Sequence, residues 1–180
     1  KFANSGFESW SASDYINYNL TENFLNSDKD FTIVITFNLT DLTSGYDTNF
    51  NYFLDFNNTN NDNFISYSRY KTNTRIPIIK SNNVLGSVNV PNIVGVNTLI
   101  CTYNYQANTF SYIKRDGFRG SLPVNFNSTQ NQIISLLKHS YLDINSGANN
   151  PLHEFRLYDR AFDLTEMQDL QTELNNKYTP

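Results

Sequence analysis

Cysteine, glycine, proline and charge are all scarce in this chain, and each shortage excludes something. A single cysteine, Cys101, rules out any internal disulfide, and its place inside an apolar strand-like run makes it a small buried residue rather than a reactive thiol. Disulfide-free secreted proteins exist, so the redox compartment stays open. Two histidines and one cysteine cannot build a zinc cage. They also leave a nucleophilic triad without parts, and no Gly-x-Ser-x-Gly occurs. No apolar run approaches the roughly 20 residues that span a bilayer, and no basic-then-apolar leader opens the chain. Lysine and arginine total 13 against 17 acids, for a net charge of -4. With no basic cluster, a phosphate-backbone partner is not expected. Nucleic acid and membrane insertion are therefore both excluded from the expected partners.

What is abundant is aromatic and amide. The 180 residues include 14 Phe and 12 Tyr but only 7 Gly and 5 Pro, the material of β-sheets. Roughly one residue in six is Asn, yet these residues interleave with Phe, Tyr and Ile at strand spacing rather than forming a disordered tract. The sequons at Asn19, Asn38, Asn57 and Asn127 are no more than this composition produces by chance. The length suits one domain, residues 1–180. A first residue of Lys rather than Met suggests a module taken from a longer chain.

The clearest local statement is Leu152 to Tyr178. Phe155 and Leu157 alternate with Leu152, Glu154, Arg156 and Tyr158, the period of a strand. A helix follows, with Asp163 as N-cap, Glu166 completing a capping box and Phe162 positioned to staple onto Met167. Leu164, Met167, Leu170, Gln171, Leu174 and Tyr178 form its expected buried stripe. Upstream, Phe31 to Leu39 alternates over its length. Asn51–Phe56 and Asn63–Tyr70 are an expected antiparallel pair, and Val96–Tyr105 with Thr109–Arg115 an expected hairpin over Gln106, Ala107 and Asn108. Pro77 restricts Arg75–Lys80 to an edge, a strand start or a bulge. Val84–Val90 and Ile133–Leu137 are further strands, and Asp116-Gly117 and Arg119-Gly120 are expected turns. Roughly a dozen short strands and one terminal helix predict an all-β, two-sheet antiparallel sandwich.

Three segments carry a family resemblance. EFRLYDRAFDLTEMQDL, beginning at Glu154, is similar to the closing strand, arginine turn and capped helix of the concanavalin A-like, laminin-G-like jelly-roll superfamily. Asn97–Asn104 (NTLICTYN) resembles that family's strand ending in Thr-Tyr-Asp, and Trp10–Tyr18 followed by Phe31–Leu39 resembles its opening. The resemblance implies a jelly roll. It also raises two chemistries: glucanase catalysis and calcium at the sandwich rim.

Catalysis lacks its residues, since retaining glycosidases need two carboxyls about 5 Å apart. No Glu-x-Asp-x-x-Glu run exists, and the only glutamates are Glu8, Glu22, Glu154, Glu166 and Glu173. Glu154 is read as a structural partner of Arg156 or Arg160. Calcium would find oxygen ligands in the loops carrying Asp55, Asn58, Asn61 and Asp62, or Asp143, Asn145 and Asn150, although no ligand set is singled out.

Carbohydrate recognition is the leading expectation, because tyrosine rings cover the CH face of a sugar while amides and carboxylates bond its hydroxyls. In Phe64–Arg75 (FISYSRYKTNTR), Tyr67, Arg69 and Tyr70 are the first candidates, with Tyr46, Asp47, Tyr52 and Tyr112 after them. The expected role is a non-catalytic, lectin-like adhesion module binding a glycan or cell-surface polysaccharide. Its expected setting is a larger virion-borne protein (phage tail, neck or fibre) or an extracellular cell-surface protein. The alternative is a structural or protein-binding module engaged in self-association or assembly with other virion or surface proteins.

Overall fold

Sequence alternation becomes two antiparallel sheets and one helix in the computed structural model, which describes residues 2–3, 6–7, 16–19, 29–39, 52–55, 64–67, 73–79, 85–115, 117, 119–123, 133–136 and 152–178. The strands in chain order are β1 Phe2–Ala3, β2 Gly6–Phe7, β3 Ile16–Asn19, β4 Phe31–Leu39, β5 Tyr52–Asp55, β6 Phe64–Tyr67 and β7 Asn73–Ile79. They continue as β8 Leu85–Pro91, β9 Gly95–Asn104, β10 Thr109–Lys114, β11 Arg119–Pro123, β12 Ile133–Leu136 and β13 Leu152–Tyr158, before α1 Leu164–Tyr178. One sheet runs β1-β2-β13-β4-β9-β10-β11 and the other β3-β12-β5-β6-β7-β8. The chain crosses between them repeatedly, giving the two-sheet jelly-roll sandwich with a C-terminal helix.

The centre of the first sheet is β4 against β9, in register from Phe31↔Tyr103 to Leu39↔Gly95. Successive side chains point to opposite faces. Phe31, Ile33, Ile35 and Phe37, with Leu99, Cys101, Tyr103, Phe110 and Tyr112 on β9 and β10, form a buried row on one face. The other face carries Thr32, Val34, Thr36, Thr98, Ile100, Thr102 and Ile113, and α1 lies on it. Met167, Leu170 and Leu174 pack with Phe162 onto Val34, Ile100 and Ile113, flanked by Tyr158 and Tyr178.

The capping box forms as read: the Glu166 amide donates to Asp163 Oδ1 at 2.9 Å, and the Asp163 amide donates to Glu166 Oε2 at 3.0 Å. Two threonines fix the turn that delivers the helix. The Phe162 amide donates to the hydroxyls of Thr32 (3.1 Å) and Thr102 (2.9 Å), and the Thr32 hydroxyl donates to the Arg160 carbonyl at 2.8 Å. Buried β-branched hydroxyls on the sheet thus satisfy backbone groups that would otherwise be desolvated without partners.

Three expectations need correction. Arg119-Gly120 is not a turn but lies in β11, with Gly120 opposite Tyr112. A Cβ on Gly120 would sit 2.6 Å from Tyr112 Cζ, so the glycine makes room for a ring rather than for a bend. Pro77 lies in β7, between β6 and β8, rather than on an edge strand. The pairing with β6 ends at Arg75, so at Pro77 only the β8 side carries a ladder, in which Pro77 stands opposite Ser87. Leu164, placed on the buried stripe by its spacing, is 45% exposed.

The expected pair β5–β6 and hairpin β9–β10 both form. The hairpin turn closes through the Asn108 amide and the Tyr105 carbonyl at 3.1 Å, with Asn108 at φ 47°, a conformation asparagine tolerates. Gly117, at φ 80°, ends the next turn, its amide donating to the Lys114 carbonyl at 2.8 Å. The segment Trp10–Tyr15 and the loops at 57–62 and 145–151 lie outside the described residues.

Candidate functional site

The face that carries α1 is wider than the helix, and the uncovered part is a groove. It has a volume of about 620 Å³ and lies between the first turn of α1 and the outer face of β9, β10 and β11. That size suits a small ligand. Ala161, Phe162, Leu164 and Met167 give it an apolar wall. Strand alternation gives it a polar floor, since Thr102, Ser111 and Ser121 pair across three strands and face the same way.

One step along the strands toward the hairpin are Asn104 and Thr109, and one step the other way is Arg119, opposite Ile113. Each step is about 7 Å, so the polar groups are rungs along a trough. The Ser111 hydroxyl donates to Ser121 at 3.1 Å, and the Thr109 hydroxyl donates to the Ala107 carbonyl at 2.9 Å. Asn104 Oδ1 accepts from the Ala107 amide at 2.9 Å.

On the opposite flank of the helix the same sheet builds an ionic cluster. Glu154 accepts from Arg156 through Oε1, and from Lys177 at 2.9 Å and Tyr178 at 2.6 Å through Oε2. Arg156 also donates to Glu173 at 3.0 Å and to the Tyr158 hydroxyl at 3.3 Å. Burial would raise the Glu154 carboxyl, but the hydrogen bonds from Arg156, Tyr178 and Lys177 overcome it and hold the group at about 2. A carboxyl fixed that low is ionised at neutral pH and is not a proton donor. The expected structural pairing of Glu154 is thus with Arg156, while Arg160 pairs with Glu166 at 2.5 Å.

Of the residues singled out for sugar contact, Tyr52 opens β5 opposite Ser66, and Tyr67 closes β6 opposite Thr74, so their backbones lie on neighbouring strands of the second sheet. Tyr46, Asp47, Arg69 and Tyr70 are outside the described residues, as are the calcium candidates apart from Asp55 at the end of β5. Tyr112 belongs to the other sheet and is only 7% exposed, its ring lying across Gly120. Burial, with the nearby Cys101 thiol adding to it, raises its phenol. Burial likewise pushes the Cys101 thiol up, out of the reactive range.

Among the described residues, no three His, Cys, Asp or Glu side chains gather as a metal site, and no helix is long and apolar enough to cross a membrane. Sequence reading missed Ser111, Ser121 and Arg119. Its available signal was the polar alternation Thr109, Ser111 on β10 beside buried Phe110 and Tyr112.

The chain matches no protein-family model and no curated protein sequence. Its fold is nevertheless shared. It superposes on the botulinum neurotoxin serotype D binding domain with a TM-score of 0.69 at 12% identity, covering 96% of this chain and 42% of that one. It also matches the binding domain of botulinum neurotoxin DC, solved in complex with SialylT and with rat synaptotagmin II, in each case with a TM-score of 0.67 at 11% identity, covering 89% of this chain and 40% of the other. The chain thus spans well under half the length of these toxin domains. At such identities the likeness is one of fold: a jelly-roll type sandwich of the kind used in toxin binding domains.

Proposed function

We propose that this chain is a non-catalytic glycan-binding module. The observation that carries the reading is the groove beside α1, where an apolar wall of Phe162, Leu164 and Met167 faces a floor that carries the exposed Ser111–Ser121 hydroxyl pair. A sugar ring offers the complement, a CH face for the wall and a hydroxyl edge for the floor. Complexes of the similar toxin domains with SialylT and with synaptotagmin II support binding over catalysis, for glycan and protein partners respectively. The low Glu154 carboxyl supports the same choice, since among the described residues it is the one glutamate on a strand and it is held ionised rather than as a proton donor.

The finer family reading is a concanavalin A-like, laminin-G-like domain, carried by Glu154–Leu170 and Asn97–Asn104. Its proposed setting is a larger virion-borne or cell-surface adhesion protein. Tyr67 and Tyr52, whose backbones lie on neighbouring strands of the other sheet, are further proposed contacts, and Arg69, Tyr70, Tyr46 and Asp47 are proposed with them from the sequence. A protein partner is the alternative occupant, and the synaptotagmin complex of the similar toxin domain is what favours keeping it.

A glycan array probed with the wild-type chain, Ser111→Ala/Ser121→Ala and Tyr67→Ala/Arg69→Ala/Tyr70→Ala tests both surfaces. Signal lost in the first variant assigns the groove, and signal lost in the second assigns the strand surface. No glycan signal from the wild type, together with concentration-dependent self-association, would overturn the reading in favour of an assembly module.

A further inference from the structure

Each Arg and Lys of β13, α1 and the turn between them has an acidic partner. Arg156 is bonded to Glu154 and Glu173, Arg160 to Glu166, and Lys177 to Glu154. Arg119 is different: it lines the groove, is exposed, and makes no hydrogen bond or ion pair among the described residues. Among the described residues it is also the one cationic side chain lining that groove. A guanidinium presents a planar fork of donors that matches a carboxylate with two parallel bonds.

Asp163, the one acid among the described residues of the same lining, is already engaged. Its Oδ1 accepts the Glu166 amide and it sits at the positive end of the helix, which offsets its charge toward a ligand. Leu164 adds a second unusual feature, an exposed apolar side chain on the groove wall at the first turn of a helix otherwise apolar only where it is buried.

Resting on the glycan reading, we propose that the groove selects carboxylated sugars, sialic or uronic acids, with Arg119 as the partner of the carboxylate. The ring lies against Leu164 and Phe162, and its hydroxyls meet the Ser111–Ser121 pair one rung from Arg119. Arg119 binds and selects; it positions no other protein group.

The test is titration calorimetry with 3′-sialyllactose and with a chondroitin disaccharide, each beside its own methyl ester, and with lactose as a neutral control. The wild type is expected to bind at least one free acid about tenfold more tightly than its ester, with the gap narrowing as salt is raised. Arg119→Gln should bring acid and ester to the same affinity, while Arg119→Lys keeps part of the preference through a point charge. A thermal melt of Arg119→Gln should match the wild type, because an exposed side chain without partners supports no packing.

If acid and ester bind alike and Arg119→Gln changes neither, the carboxylate assignment falls while the glycan reading stands. If no acid, ester or neutral glycan binds, the glycan reading fails and takes this assignment with it.

Discussion

The two flanks of α1 rest on one sheet face and are built from opposite chemistry. Toward β13, Glu154, Arg156, Glu173, Lys177 and Tyr178 satisfy one another in a closed ionic cluster. Toward β10 and β11, hydroxyls, an Arg119 without a partner among the described residues and an exposed Leu164 stand around open volume. Between them runs the apolar ridge of Met167, Leu170 and Leu174. The difference is one of closure: on one side charged groups satisfy one another, whereas on the other the exposed Ser111–Ser121 pair and Arg119 face open volume.

The largest way to break this arrangement is through the ridge that both flanks share. Leu174→Ala removes a fully buried side chain and should cost about 3 kcal/mol in denaturant unfolding, with groove binding lost alongside if the helix shifts.

Next is Glu154→Gln, which leaves Arg156 short of its charge partner on a partly buried site and should cost about 2 kcal/mol, reduced from the full effect of the shift by solvent screening at Lys177 and Glu173. The Glu154 carboxyl lies near 4.5 when unfolded and near 2 when folded, so its contribution is whole above pH 4.5 and is lost as pH falls toward 2. Unfolding curves at pH 6 and pH 3 should therefore differ more for the wild type than for Glu154→Gln; equal pH responses would remove the ionic cluster from the account of stability.

Asp163→Ala removes half of the capping box at about 1 kcal/mol and should leave glycan affinity within about twofold if the acid serves the helix alone. The smallest stability effect belongs to Ser121→Ala, within about 0.5 kcal/mol because its hydroxyl is exposed. Its effect on binding should nonetheless be several-fold, and this contrast between melting and affinity sharpens the division of labour most directly.

The anchoring flank was largely legible in the sequence and the groove was not, for a physical reason. Asp163, Glu166, Phe162 and Met167 announce a helix start through neighbours three to five residues apart, and Glu154 with Arg156 announces a pair on one strand face. The groove depends on Ser111 and Ser121 meeting across a strand pair, and on where β9–β11 extend beyond the helix, neither of which has a local signature. Gly120 was misread for the same reason: a turn explains a glycine from its own neighbours, whereas here the cause is the Tyr112 ring on the adjacent strand. Periodicity placed Leu164 on the correct helical stripe, but spacing alone does not tell where the surface beneath the stripe falls away. The buried Thr32–Thr102 pair holds the Arg160–Phe162 turn through hydroxyls from two strands some 70 residues apart, which no local pattern announces.

Seven consecutive residues of β9, Asn97 through Tyr103, are buried. A strand in a bare sandwich keeps one row of side chains wet; here the docked helix gives that row a roof, so a single strand belongs to two hydrophobic cores at once. Deuterium uptake along Thr98, Ile100 and Thr102 therefore becomes a gauge of whether the roof is seated, and any ligand that settles against its first turn should slow that uptake from a distance.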